Sequence, residues 1–147
     1  MTDILGSLRF MQQMERLATN MYKQQVPAFK GSETASILRK AQENEKEHIE
    51  ILTKDITRQN GNPSWIGLLF GFAGGTAGLL TRFAGKKFLL KADTWIERMA
   101  VRDYTRFLEK VNFDTDSKAL LARIIEDEKR HIKNWSDSIN ALKKSSG

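Results

Sequence analysis

The histidines of this chain constrain its fold most strongly, because there are only two and each ends the same four-residue motif, Glu-x-x-His. The first motif runs from Glu45 to His48 and the second from Glu128 to His131. Side chains three residues apart project from the same face of a helix. The motifs therefore predict two helices that each present a carboxylate and an imidazole to a common interior.

Each motif has a glutamate partner upstream at nearly the same spacing. Glu15 lies 30 residues before Glu45, and Glu97 lies 31 residues before Glu128. A tyrosine follows each partner by seven residues, at Tyr22 and Tyr104. The chain thus contains two copies of one pattern, which indicates two similar helix pairs.

Apolar residues at three- and four-residue spacing predict four helices. The first extends from about Ile4 to Val26, and the second begins after the N-cap Ser32 and ends near Arg58. The apolar stripe of the third includes Trp95, and the fourth runs from about Ser117 to Leu142, followed by a frayed tail. Four acidic residues beside the motifs are interpreted as charges on helix surfaces: Asp93, Asp103, Glu126 and Asp127.

Composition favours a globular protein and narrows its chemistry. The length of 147 residues and a hydrophobic content of 40% fit one domain spanning residues 1–147. The absence of cysteine excludes disulfides, iron–sulfur clusters and thiol catalysis, so oxygen and nitrogen are the only strong metal ligands. The net charge of +6 is spread along the chain without a nucleic-acid-binding motif, so no nucleic-acid partner is expected.

Four carboxylates and two imidazoles in one core form the ligand set of a di-iron or di-manganese carboxylate site. A carboxylate on an apolar stripe is costly unless it is paired or binds a cation. Imidazole suits iron better than magnesium or calcium, so two iron ions are the expected cofactors, with manganese and zinc as substitutes. The expected metal ligands are Glu15, Glu45, His48, Glu97, Glu128 and His131.

The remaining repeated residues, Tyr22 and Tyr104, lie two turns beyond the upstream glutamates on the same helix faces. We expect their hydroxyls to bond to the ligands or to groups that hold them, which makes them the candidate catalytic residues outside the ligand set. Packing in the core is the alternative role, since buried tyrosine is common when its hydroxyl is bonded.

The segment between the second and third helices is unusually apolar. Trp65 to Leu80 contains no charge and lies within a crossover at about residues 64–90. It is shorter than the roughly 20 residues that span a bilayer, and its glycines permit close helix approach. A buried core helix, an interfacial or re-entrant hairpin and a homodimer contact are the alternatives. Membrane contact is favoured, because a small bundle has little surface left to cover this area. The residues expected at the membrane or at substrate access are Trp65, Leu68, Phe70 and Phe72.

These residues resemble those of the ferritin-like di-iron proteins, which include rubrerythrin. The six-ligand pattern over Glu15–His131, together with the Gly/Ala-rich stretch Ile66–Leu80, is most similar to the demethoxyubiquinone hydroxylases of ubiquinone biosynthesis. The resemblance implies an all-α, ferritin-like four-helix bundle with a long apolar crossover between its second and third helices. It also implies one iron at Glu15, Glu45 and His48, a second at Glu97, Glu128 and His131, and Glu45 and Glu128 as bridges.

The leading hypothesis is an oxygen-activating di-iron monooxygenase that hydroxylates a quinone-like lipid. Its partners would be O2 or peroxide, the lipid and an external electron donor, since the sequence has no flavin fingerprint and no rubredoxin-like cysteines. A ferroxidase or peroxidase similar to ferritin or rubrerythrin is the first alternative, and a non-enzymatic, membrane-associated metal-binding bundle is the second. The N-terminus lacks a signal-peptide pattern, so we expect a cytoplasmic protein, attached peripherally to the inner face of the membrane.

Overall fold

The computed structural model describes residues 3–62 and 67–146, except the side chains of residues 67 and 68. Within these ranges the chain forms α-helices and no strand. A short 3₁₀ helix, Val26–Phe29, joins the first two helices. The helices are α1 (Ile4–Gln25), α2 (Glu33–Arg58), α3 (Gly67–Phe83), α4 (Lys86–Lys110) and α5 (Thr115–Ser145).

Four of the helices form the bundle, in which α1 packs on α2 and α4 packs on α5. Additional contacts of α1 with α4, and of α2 with α5, join the two pairs. The core has two apolar clusters, one around Leu8, Leu52 and Leu121, and the other around Leu38 and Trp135. The repeated glutamates and histidines lie between these clusters along the helices, so the polar layer has apolar packing on both sides. This all-α architecture confirms the predicted fold class.

Most predicted helix ends are confirmed, and two differ. The α5 helix begins after Asp114, whose carboxylate accepts a hydrogen bond from the Ser117 backbone N–H at 2.8 Å. It continues to Ser145, so the residues after Leu142 that were predicted to fray are largely helical. The α4 helix already begins at Lys86, which ends the crossover earlier than predicted.

Trp95 was wrongly placed on the apolar stripe of the third helix. Its side chain is 62% exposed, whereas Glu97 on the same helix is buried. Positions two residues apart on an α-helix are separated by roughly 200° around its axis. The side chains of Trp95 and Glu97 therefore project in nearly opposite directions. The stripe that faces the core instead includes Leu90, Ala100 and Tyr104.

The apolar crossover forms one continuous helix, α3, which packs mainly on α1. Gly74 and Gly78 make this contact possible, because a Cβ at either position would collide with the α1 backbone at Leu17 or Met21. The opposite face of α3 is exposed to solvent at Leu69, Phe72, Leu79, Leu80 and Phe83.

These observations exclude two of the alternatives for the crossover over residues 67–83. A fully buried core helix is wrong, because Phe72 is 77% exposed, and a re-entrant hairpin is not formed. Phe70 is half-buried, Trp65 lies outside the described residues, and so does the side chain of Leu68. Among the described helices, none is both long enough and apolar enough to cross a membrane.

Candidate metal centre

The six predicted ligands converge in the middle of the bundle, although they come from four helices. All six are buried. Their donor atoms form two groups, in each of which the atoms lie within 4.8 Å of one another. Glu45 and Glu128 belong to both groups. The first group is completed by Glu15 and His48, and the second by Glu97 and His131.

Both imidazoles direct the same ring nitrogen into the centre. The Nδ1 atom of His48 lies 3.3 Å from Glu15 Oε2 and 3.1 Å from Glu128 Oε1. The Nδ1 atom of His131 lies 3.0 Å from Glu45 Oε1 and 3.3 Å from Glu97 Oε1. Each imidazole therefore contacts carboxylates from both halves of the chain, and the two halves share one site.

The protonation of the carboxylates reflects their crowding in the core. Burial raises the pKa of Glu15 well above its usual value, and the charges of Glu45 and Glu128 raise it further. Burial and the same charges likewise raise the pKa of Glu97. In Glu45, burial acts in the same direction, but the neighbouring Glu15 carboxyl and the two imidazoles outweigh it and lower the pKa.

The imidazoles respond in the opposite way to their surroundings. Burial alone would lower the pKa of His48, but the close carboxylates of Glu128, Glu15 and Glu45 raise it well above the usual value. The close carboxylates of Glu128, Glu45 and Glu97 likewise raise the pKa of His131, again against the effect of burial. Protons thus balance the negative charge of the centre, and a cation entering it would displace them.

Two carboxylate oxygens of the centre lack a hydrogen-bond donor. They are Glu45 Oε1 and Glu128 Oε1, which are fully buried. Each lies close to an imidazole nitrogen, at 3.0 Å and 3.1 Å, but without the geometry of a hydrogen bond. A buried acceptor without a donor is costly, and a cation between the two groups would satisfy both oxygens. The donor set therefore fits two divalent metal ions.

The two tyrosines connect the halves of the bundle reciprocally. The Tyr22 hydroxyl, from the first half, donates to Glu97 Oε1 in the second. The Tyr104 hydroxyl, from the second half, donates to Glu15 Oε1 at 2.5 Å. Burial raises the pKa of both tyrosines, and the neighbouring carboxylates raise it further, so both hydroxyls keep their protons. Each tyrosine thereby orients the terminal glutamate of the opposite half, that is, Glu15 or Glu97, which each belong to only one donor group.

Asp127 was predicted as a surface charge, and this prediction is wrong. It is buried and contacts His48 Nε2 through Oδ2 at 3.1 Å. Asn44 donates to the same oxygen at 3.4 Å, and the other oxygen, Oδ1, forms an ion pair with Arg130. A carboxylate on the far nitrogen of an imidazole fixes the tautomer and the ring orientation at metal centres. In the sequence, the only sign of this role was the position of Asp127 directly before the ligand Glu128.

Two further predicted surface charges are buried as well. Asp93 is fully buried and accepts a hydrogen bond from the Gln25 amide at 2.8 Å. Burial raises its pKa well above the usual value. The same amide donates to Thr81 at 2.9 Å, so this cluster links α1, α3 and α4. Asp103 is buried beside Arg102 and Arg106, with which it forms ion pairs.

Comparison with protein families connects this geometry with a known group. The model of the family "Ubiquinone biosynthesis protein COQ7" matches residues 4–143, which include all five helices almost completely. Comparison with individual curated proteins gives no significant match. The matched region contains both Glu-x-x-His motifs, their upstream glutamates and the apolar helix α3. This chain therefore belongs to the COQ7 family, a group of ferritin-like di-iron hydroxylases that act in ubiquinone biosynthesis.

Proposed function

We propose that this protein is a di-iron monooxygenase that hydroxylates the ring of a quinone-like lipid at a membrane surface. The observation that carries the proposal is the pair of donor groups that share Glu45 and Glu128. This sharing would hold two metal ions next to each other, as in other carboxylate-bridged bundles. Membership of the hydroxylase family supports the class of reaction.

The roles of the ligands follow from their place in the two groups. Glu15 and His48 would hold one iron, and Glu97 and His131 the other, with Glu45 and Glu128 between the metals. Bound iron would supply the reduction of O2 that ring hydroxylation requires, with electrons from an external donor. The chain itself orients the terminal carboxylates through Tyr22 and Tyr104, and the ring of His48 through Asp127.

The packing around the centre favours chemistry that needs little water. The apolar clusters above and below the ligand layer contain fully buried side chains, among them Leu8, Leu52, Leu38 and Trp135. Exclusion of water strengthens electrostatic interactions inside a site and protects reactive species from side reactions.

The exposed face of α3 supports delivery of the lipid from a membrane. Leu69, Phe72, Leu80 and Phe83 are each more than half exposed. Such a contiguous apolar surface is typical of an interaction site, and aromatic residues suit the boundary between lipid and water. We infer that α3 lies in the membrane interface and places the bundle where a lipid quinone is available.

The hydroxylase proposal is tested by loading the protein anaerobically with Fe(II) and adding O2 with or without a short-chain quinone analogue. About two irons per chain and an oxygenated quinone product would support it. Oxygen consumption that does not depend on the quinone would favour the ferroxidase or peroxidase. Absence of bound iron would refute the metal centre itself.

The membrane proposal is tested by sedimentation with lipid vesicles. We expect Phe72→Asp with Phe83→Asp to move the protein from the vesicle pellet to the supernatant, because charge on α3 would have to enter the interface. Trp95→Asp is the control, since it places a charge at an exposed aromatic position outside α3. Unchanged vesicle binding in the double variant would refute the proposal, and conversion of a dimer to a monomer would identify a homodimer contact instead.

A further inference from the structure

A pocket between α2 and α5 extends from the protein surface to one histidine of the centre. It has a volume of about 470 Å³. The crevice between α1 and α3 and the groove between α4 and α5 have none of the six predicted ligands in their walls. The polar residues that line the α2–α5 pocket are Glu33, Lys40, Asn44, Arg130, His131 and Asn134.

The wall of this pocket is polar except at Ile37 and Ala41, and one of its polar groups is not hydrogen-bonded. Asn44 Oδ1 is buried and has no hydrogen-bond partner, although the Asn44 amide nitrogen donates to Asp127. Arg130, also in the wall, forms an ion pair with the same aspartate. Buried polar groups in native proteins are normally satisfied by protein or by ordered water, and this pocket is large enough for water. A water molecule in the pocket would satisfy this oxygen.

We propose that the α2–α5 pocket is the hydrophilic entrance to the metal centre, through which water, protons and hydrated metal ions reach the side of His131. This inference rests on the proposed function, because the proposed hydroxylation is the reaction that would consume protons and release water at the centre. The lipid would arrive from the side of α3, whose crevice is lined by Phe72 and Leu79 together with Gln24. Apolar and hydrophilic reactants would then use different faces of the bundle.

The chemistry of the proposed reaction requires such an entrance. When a ring C–H bond is hydroxylated by O2, one oxygen atom enters that bond and the other leaves as water. Two protons and two electrons balance this water, and the electrons come from the external donor. Protons and water do not cross a packed apolar core readily, because unpaired polar groups are costly there. The polar wall at Asn44 and Arg130 offers them a path.

The absence of cysteine from the chain permits a direct test. In the variant Asn134→Cys, a bulky maleimide would be attached only in the mouth of the pocket. The metal-free protein is then mixed with Co(II), and uptake is followed by optical absorbance. We expect the label to slow uptake on the order of tenfold without changing the final stoichiometry, because it blocks the entry path. The tryptophan variant Asn134→Trp should act in the same direction.

The matched control is Thr76→Cys with the same label, because Thr76 is exposed and lines the α1–α3 crevice. We expect this label to leave the rate of Co(II) uptake unchanged. Equal rates for the labelled and unlabelled Asn134→Cys protein would overturn the entrance, as would slowing by the Thr76 label alone. Failure of the unlabelled protein to bind Co(II) would instead overturn the metal centre, so the two proposals fail by different results.

Discussion

The two halves of the molecule, α1–α2 and α4–α5, contain the same ligand pattern but hold their histidines differently. His48 in the first half contacts the carboxylate of Asp127 through Nε2. His131 in the second half has no such carboxylate at Nε2 within the described residues, and its ring lies 6.4 Å from that of Trp135. The residue before the shared glutamate is Asn44 in the first half and Asp127 in the second. The repeat thus gives both halves the same ligand types, whereas single residues next to the ligands determine what each histidine contacts.

The outer surfaces of the halves differ as well. The α1 helix is covered by α3 through contacts at Gly74 and Gly78. The second half is not covered in this way, since α3 makes much less contact with α4. The comparison shows that an approximate internal repeat can form a nearly symmetric metal centre inside an asymmetric exterior. We expect this asymmetry to separate the lipid side of the protein from its hydrophilic side.

The largest effect is expected when a shared carboxylate is removed. Glu128→Ala should lose nearly all bound iron, because Glu128 belongs to both donor groups, whereas Glu15→Ala should keep part of it. Metal content after anaerobic Fe(II) loading measures the difference, and circular dichroism checks that the helices remain. Retention of about two irons by Glu128→Ala would contradict the ligand assignment.

The role of Asp127 can be separated from that of its counterpart in the first half. Asp127→Asn gives both halves an asparagine before the shared glutamate and removes the charge that contacts His48. We expect metal affinity to fall by about 10- to 100-fold, because the orienting partner of the imidazole is weakened. Glu126→Gln, which removes an exposed charge from the same helix, should not weaken binding. Equal losses in the two variants, measured by competition with a chelator, would show that the contact of Asp127 with His48 has no functional role.

The reciprocal tyrosines test how equivalent the halves are. Tyr22→Phe and Tyr104→Phe each remove one hydrogen bond to a buried terminal glutamate. We expect each to lower the free energy of unfolding of the metal-loaded protein by about 1–3 kcal/mol, since a buried acceptor loses its donor. Urea unfolding measures both variants under the same conditions. A large effect from only one of them would show that the two bonds are not equivalent.

The smallest effect concerns the contact between the end of α2 and the start of α5. Bonds from Arg58, the Ser117 N–H and Gln59 lower the pKa of Asp114 below its usual value. A lowered pKa stabilises the fold above the unfolded pKa of about 3.9, and this stability is lost as the pH falls towards the lower folded pKa. Asp114→Asn should therefore reduce Tm slightly at pH 7, and the difference should vanish in acid. Asp116→Asn, in the first turn of the same helix, is the control.

The fold and the composition of the centre could largely be predicted from the sequence. A residue such as Glu15 occurs on an apolar stripe only when the core offers it a partner, so periodicity and residue type together located it. Asp127 and Asp93 could not be placed in the same way. They lie at the edges of their helix stripes, and whether such a residue is buried depends on the helix that packs against it.

The sequence by itself therefore determined the four bundle helices, the repeated pattern and the ligand types, because these depend on spacing along single helices. The tertiary structure decided which tyrosine bonds which glutamate, as in the pair Tyr22 and Glu97, which are 75 residues apart. It also decided that α3 packs on α1 with one face exposed, since glycine permits a close approach without specifying its partner. Local periodicity fixes the direction of a side chain on its own helix, and only packing between helices fixes what that side chain meets.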